Sequence, residues 1–270
     1  MVRTLVLTVD RDNDLGIKTA IRGPVIGRKQ VLTAALRLGI ADPEESDTNA
    51  ILGALHQHDA LAENNAEGDD VEIAMGGTIA KYVDEGHNVT IITAILPKEN
   101  RDGKIDDFMS KNRIKEQKNS AKILGAKLDV LDLDPYEFSF SRKYIKIFDK
   151  KINEHKPDII FSCWEHDTHQ DHQAMSKILY VATRKNTSSL YMYETMIPGG
   201  ISSHAFNPQY IVNISNHIDM KLNSIRCYES VFKQNTNKLV DSIGARSKYR
   251  GEQIGVEYAE AFQVVKDIVL

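Results

Sequence analysis

From residue 69 onwards the chain alternates helix-like and strand-like segments, and this alternation constrains its fold more than any other feature. The strand-like runs are short and rich in Val, Ile and Leu, and the helix-like segments space apolar residues at three and four positions. Strands are predicted at residues 88–96, 127–133, 157–163, 189–194 and 209–214, and helices at 73–85, 112–124, 144–155, 173–183, 217–228 and 252–265. Repeated strand–helix–strand units require a mostly parallel sheet with helices on both faces, so we predict an α/β, Rossmann-like fold.

The region before residue 69 has a different pattern. Residues 4–9 predict a buried strand that ends in a polar cluster, and residues 28–38 and about 43–62 have helical spacing. The polar stretch 56–66 is also predicted to be helical.

Composition excludes several classes of protein. The 34 basic and 38 acidic side chains leave a net charge of −4, which argues against nucleic acid as a partner. No apolar run approaches the roughly 18 residues of a membrane span. The start of the chain has no secretory cleavage pattern, and two cysteines are too few for a disulfide framework. We therefore expect a cytoplasmic protein without a membrane span, and homo-oligomerisation stays open.

The densest group of chemically active side chains follows the predicted strand 157–163. Three of the nine histidines, His166, His169 and His172, lie there together with Asp171. Sites in parallel α/β sheets lie beyond the carboxyl ends of the strands, and this loop has that position. Two imidazoles and a carboxylate suit a zinc ligand with an oriented acid or electrophile. The alternative is a polar surface loop whose histidines cap the next helix.

A second candidate is the adjacent pair Asp69 and Asp70, which precedes a predicted helix. One carboxylate could bind a metal while its neighbour removes a proton from water. By themselves, however, adjacent acids at this position are more often favourable charges at a helix N-terminus.

Taken together, the two segments resemble the paired signatures of the LmbE/PIG-L deacetylases over about residues 69–270. The resemblance is carried by Asp69-Asp70-Val71-Glu72, Gly76-Gly77-Thr78, His169-x-Asp171-His172, Arg113-x-x-Glu116, Tyr193-Glu194, Lys221, Tyr228, Arg250-Gly251 and Tyr258-Ala259-Glu260-Ala261-Phe262. It implies a zinc-dependent hydrolase that removes N-acetyl groups from amino sugars, such as N-acetylglucosamine, or from their conjugates.

The resemblance also implies roles for individual residues. Asp69 would be the general base, and Asp70 and His172 would be zinc ligands. His169 would stabilise the oxyanion or protonate the leaving amine, and Asp171 would orient a histidine. The family pattern assigns no fixed role to His166 or Asp167.

The chain departs from the family at the first half of its metal motif. The family sequence His-Pro-Asp-Asp supplies a third ligand from its histidine, but Glu67 and Gly68 occupy those two positions here. The apolar strand that should precede the motif is also missing. Glu67 could replace the histidine as a metal ligand. Alternatively, the strand at residues 5–9 could replace the missing strand and bring Asp10, Asp12 or Asp14 towards the metal.

Residues 1–74 resemble the amino-terminal region of an uncharacterised archaeal family. The resemblance rests on residues 4–14, 23–28, 41–50 and 69–74. We therefore divide the chain into a segment of residues 1–68 and a deacetylase-like domain of residues 69–270, and we interpret it as a chimera, natural or constructed. Two other functions stay open: an inactive or impaired fusion with an incomplete zinc site, and a binding or regulatory module.

Overall fold

The computed structural model describes residues 3–9, 61–64, 70–98, 107–195, 204–232 and 236–269. The strands are β1 (Arg3–Val9), β2 (Leu61–Asn64), β3 (Asn88–Ile95), β4 (Lys127–Leu133), β5 (Ile159–Cys163), β6 (Ser189–Tyr193), β7 (Tyr210–Asn213) and β8 (Ala259–Lys266). The helices are α1 (Asp70–Asp84), α2 (Asp107–Leu124), α3 (Arg142–His155), α4 (Gln170–Ala182), α5 (Ile218–Ile225), α6 (Glu229–Phe232) and α7 (Thr236–Glu252). Within these residues, no helix combines the length and hydropathy that crossing a membrane requires.

The strands form one sheet in the order β4-β3-β1-β5-β6-β8-β7, and β2 pairs additionally with β1. All pairs from β4 to β6 are parallel, whereas β8 runs antiparallel to β6 and β7. The predicted α/β fold with a mostly parallel sheet is therefore confirmed.

Strand β1 lies in the middle of the five parallel strands β4-β3-β1-β5-β6 of this sheet. Leu5 is aligned with Thr90 of β3 on one side and with Ile160 of β5 on the other. Leu5 and Leu7 are completely buried. The strand considered above as a replacement for the missing family strand thus occupies a central position. Its sequence belongs to the predicted amino-terminal segment, yet it completes the same sheet as the rest of the chain.

Two secondary-structure predictions are wrong. Residues 61–64 were predicted to be helical, but they form β2, in which Asn64 is aligned with Leu7 of β1. The helix predicted at 252–265 is instead the end of α7, a turn through Gly255 at φ +74°, and β8. In both segments pairing with distant strands overrides the local helical spacing.

The helix α7 was not predicted, and α2 begins five residues earlier than expected. The helix predicted at 28–38, and residues 43–60 of the helix predicted at about 43–62, lie outside the described residues.

Helix α1 is interrupted at Met75, whose φ of −143° and ψ of 19° are not helical. In an unbroken helix the N–H groups of Gly77 and Thr78 would donate to the carbonyls four residues earlier. Here they donate to the two carboxylate oxygens of Glu260, at 2.9 and 2.6 Å. The Thr78 hydroxyl also donates to Glu260, at 2.5 Å. A carboxylate from β8 therefore caps the second half of α1.

The Glu260 carboxylate also accepts a hydrogen bond from the Lys221 Nζ of α5. Both side chains are almost completely buried, with 1% of each exposed. Burial lowers the pKa of Lys221, and the nearby charge of Glu260 opposes that shift. This ion pair connects α1, α5 and β8 on one face of the sheet.

Replacing Glu260 by glutamine is expected to destabilise the protein by about 3–5 kcal/mol, because it leaves the Lys221 ammonium buried without its counter-charge. The amide NH₂ would also face N–H donors of α1. Urea unfolding measures the change. Glu257→Gln is the control because Glu257 is exposed two residues before β8 begins. Equal stability of the two variants would contradict the importance of the buried pair.

Replacing Gly77 by alanine is expected to cost about 1–3 kcal/mol through overpacking. Its Cβ would lie 2.6 Å from Ile214 Cδ1 and 2.8 Å from Ile214 Cβ. The matched control is Gly244→Ala within α7, where a Cβ would meet nothing within 4 Å. Helix propensity there predicts a gain of about 0.5–1 kcal/mol. Thermal unfolding should therefore shift in opposite directions, and shifts of the same sign would refute the packing argument.

Candidate active site

The candidate site lies beyond the carboxyl ends of β5 and β6, next to the first residue of α1. Asp70 begins α1, and His172 lies in the first turn of α4. Asp167 lies in the loop between β5 and α4, and Thr195 follows β6. A parallel sheet brings these strand ends to one edge, so residues far apart in the sequence meet there.

His172 lies between two carboxylates. Its Nε2 is 3.1 Å from Asp70 Oδ2, and its Nδ1 is 2.9 Å from Asp167 Oδ2. All three residues are buried, with His172 only 4% exposed. The structure therefore brings together Asp70 and His172, two of the three residues predicted as metal ligands, and adds Asp167 on the far side of the imidazole.

Asp167 is fixed by two further donors. The Thr195 hydroxyl donates to Oδ2 at 2.5 Å, and the backbone N–H of His169 donates to Oδ1 at 2.8 Å. Burial by itself would raise the pKa of Asp167. The charge of His172 and these hydrogen bonds outweigh burial and hold that pKa well below its usual range. Asp167 is therefore an anionic acceptor beside His172.

His169 is the N-cap of α4, and its Nδ1 accepts the backbone N–H of Asp171 at 3.2 Å. A neutral imidazole with an accepting Nδ1 carries its proton on Nε2, which can then donate. The His169 ring centroid is 4.9 Å from that of His172. Asp171 is buried, and its Oδ2 lies 4.0 Å from His169 Nδ1. These contacts are compatible with the roles predicted for both residues.

The remaining predicted site residues, Glu67 and Asp69, lie outside the described residues, as do Asp10, Asp12 and Asp14. Among the residues that the structure describes, no three His, Cys, Asp or Glu side chains form a group that could hold a metal ion. The third ligand and the general base therefore stay predictions.

Arg246 of α7 connects the two sides of the site. Its guanidinium donates to the carbonyl of Thr195 at 2.6 Å and to the carbonyl of Ile73 at 2.8 Å. The Ile73 carbonyl is one of those left by the break in α1 at Met75. One side chain thus joins the segment that carries Asp70 to the residue that holds Asp167.

Sequence reasoning missed the contributions of three residues to this arrangement. Asp167 was noted without a role, and Thr195 could have been found from its position directly after a core strand. Arg246 carries no local signal, because its partners are backbone carbonyls more than 50 residues away.

Several residues that carried the family resemblance form hydrogen bonds with one another. The Tyr228 hydroxyl donates to Glu72 at 2.9 Å, and burial raises the pKa of Glu72 to about 7. Arg250 donates to both carboxylate oxygens of Glu194. Cys163 is completely buried, and burial raises the pKa of its thiol to about 12, so it is a core residue.

The fold and this buried carboxylate–imidazole site together describe an α/β protein with a candidate hydrolytic centre at the carboxyl edge of its sheet. Residues 66–183 match the family model described as GlcNAc-PI de-N-acetylase (PIG-L), and residues 3–88 match a domain of unknown function, DUF373. The part of the chain from residue 66 to residue 183 is thus similar to the PIG-L family, and the part from residue 3 to residue 88 is similar to DUF373. The two matches overlap at residues 66–88, which include the predicted junction.

Individual relatives also match either a short part or the larger part of the chain. An uncharacterised protein of Archaeoglobus fulgidus is 49% identical over 75 residues, which are 28% of this chain and 21% of that protein. The chain therefore spans about a fifth of that relative. A diacetylchitobiose deacetylase of Thermococcus kodakarensis is 28% identical over 217 residues, covering 75% of this chain and 81% of that enzyme.

The fold is shared with a solved structure, N,N'-diacetylchitobiose deacetylase from Pyrococcus horikoshii. The TM-score is 0.65 and the identity 22%, over 90% of this chain and 94% of the other. At this identity the likeness concerns the fold.

Proposed function

We propose that this protein is a zinc-dependent deacetylase that hydrolyses the N-acyl amide of an amino sugar or sugar conjugate. The observation that carries the proposal is the position of His172, whose Nε2 faces Asp70 and whose Nδ1 faces Asp167 at the edge of a parallel sheet. The PIG-L match and the deacetylase relatives support the reaction class, and their names are the source of the amino-sugar substrate.

The donor set of the site is suited to zinc. Asp70 and His172 offer a carboxylate oxygen and an imidazole nitrogen, both of which zinc accepts as ligands. Their 3.1 Å separation means that one ion could contact both. Histidine ligands commonly present their second nitrogen to a carboxylate, and Asp167 has that relation to His172. When bound, zinc polarises the amide carbonyl and lowers the pKa of water.

Side chains of the protein would carry out the proton transfers and stabilise the oxyanion. Asp69, directly before α1, would accept a proton from the attacking water. The neutral His169 would donate a hydrogen bond from its Nε2–H to the developing oxyanion. The alternative role, protonation of the leaving amine at the next step, would require His169 as the imidazolium. Asp171, buried against His169, would keep that imidazole oriented. These roles are the ones that the family resemblance implies.

Metal analysis together with an amide-hydrolysis assay tests the proposal. The purified full-length chain should contain about one zinc per molecule and release acetate from N,N'-diacetylchitobiose. Removal of zinc by a chelator should abolish the activity, and added zinc should restore it. His217→Ala is a suitable control. His217 is the N-cap of α5, contacts Asp84 at the end of α1, and lies outside the site. A folded protein that binds no zinc would refute the proposal.

An impaired fusion is the second candidate, and one observation favours it. Glu67 stands at the position where the family sequence has the histidine that is its third zinc ligand. The substitution Glu67→His distinguishes the active deacetylase from the impaired fusion, because it restores the histidine that the family has at this position. A gain in zinc affinity and hydrolysis would identify an impaired enzyme, whereas full zinc occupancy and activity in the unaltered chain would exclude one.

A further inference from the structure

We propose that Asp167 is a positioning residue that fixes the ring orientation of His172, and that Thr195 holds Asp167 in place for this purpose. This inference rests on the proposed function, because it concerns the same site. It assigns a role to a loop carboxylate and to a strand-end hydroxyl that sequence reasoning did not assign.

The orientation of an imidazole is set by what contacts its two nitrogens. Asp167 Oδ2 lies 2.9 Å from His172 Nδ1, while Nε2 points to Asp70 at 3.1 Å. A carboxylate at this distance favours a proton on Nδ1 and leaves Nε2 as the nitrogen directed at Asp70. A ring turned by half a rotation would instead present carbon atoms to both carboxylates.

Asp167 can do this only if it is itself immobile. Its two oxygens accept from the Thr195 hydroxyl and from the His169 N–H, and the Gln173 side-chain amide donates to its backbone carbonyl at 2.7 Å. The carboxylate is therefore held from the segment after β6 and from the N-cap of α4, and the backbone of Asp167 is held from the first turn of α4.

Thr195 is in turn fixed by Arg246, which donates to its carbonyl and to that of Ile73. Because Ile73 lies one turn beyond Asp70, the same guanidinium restrains both sides of His172. The contacts form a continuous chain from Arg246 through Thr195, Asp167 and His172 to Asp70. Each of these contacts joins two different segments of the chain. Such a set of contacts can fix the distance between the two proposed zinc ligands, Asp70 and His172.

Zinc titration in competition with a chelating dye measures the effect on the apo protein. Asp167→Asn should weaken zinc binding by about 10–100-fold, the usual cost of losing such a partner. Thr195→Val should weaken it less, and Thr195→Ser should restore it because the hydroxyl returns. Glu165→Gln, in the same loop and in contact with His166, should leave affinity unchanged. If Asp167→Asn does not fold, Thr195→Val and Thr195→Ser form an independent pair.

A second measurement does not depend on metal. With ¹⁵N-labelled histidine, the His172 Nδ1–H should give a slowly exchanging proton signal in the wild type and lose it in Asp167→Asn. An unchanged signal and unchanged zinc affinity in Asp167→Asn would overturn the inference. If the wild type shows the signal but binds no zinc, the proposed function fails while the positioning of His172 stands.

Discussion

Residues 69–270, produced without the amino-terminal segment, are expected to fail to fold. The shortened chain lacks β1, so the backbone groups of β3 and β5 that pair with it would be exposed. Leu5, Val6 and Leu7 are each completely buried, and burial of one such side chain contributes about 1.5–3 kcal/mol. Their combined loss is comparable to the whole stability of a typical domain, about 5–15 kcal/mol. Circular dichroism during heating should show no cooperative transition.

A pair of substitutions in the full-length chain tests the same point without truncation. Leu7→Asp places a charge at a completely buried position of β1 and should prevent folding or lower stability by several kcal/mol. Arg3→Gln changes an exposed side chain at the start of the same strand and should have little effect. A shortened chain that unfolds cooperatively, or a stable Leu7→Asp variant, would show that β1 is dispensable.

His172→Ala is expected to abolish both zinc binding and amide hydrolysis while the protein remains folded. The substitution removes the imidazole that faces Asp70 and leaves two buried carboxylates, Asp70 and Asp167, without it. We expect the zinc content to fall below detection and hydrolysis to fall by at least about 10³-fold, since loss of the metal removes Lewis-acid catalysis as a whole. Elemental analysis and acetate release measure the two effects.

The controls separate loss of the site from loss of the fold. Asp70→Asn should lose zinc in the same way, because a neutral amide is a weaker ligand than a carboxylate. His155→Ala, at the end of α3, should retain both zinc and activity. A His172→Ala protein that keeps stoichiometric zinc would place the metal elsewhere in the chain. Retained hydrolysis without zinc would reject a metal-dependent reaction.

The central position of β1 also bears on the origin of the chain. The DUF373 match covers β1, and the PIG-L match begins shortly before α1. A strand within the DUF373 match therefore lies between β3 and β5, two strands that lie within the range of the PIG-L match. That the chain is a chimera stays our interpretation, and residue 69 stays its predicted boundary.

Local patterns in the sequence were sufficient for the fold class, and they named part of the candidate site. Buried parallel strands read as continuous apolar runs, so β1, β3 and β5 were recognisable without a structure. The loop after β5 was recognisable because His169, Asp171 and His172 follow a core strand directly. Family resemblance then distinguished Asp70 from an ordinary helix N-terminal acid.

Contacts between distant segments were decided only by the tertiary structure. The apolar run of β8 suits a helix or a strand, and pairing with β6 and β7 made it a strand. The break in α1 is stable because Glu260 and Arg246 replace the missing intrahelical partners, and neither residue is near α1 in the sequence. Local periodicity records which face of a segment is apolar, but it does not record which segment lies against that face. The sequence by itself therefore determined strands β1 and β3 to β7 and the candidate ligands. The tertiary structure determined that β2 and β8 are strands, that β1 lies between β3 and β5, and which side chains contact Asp167 and His172.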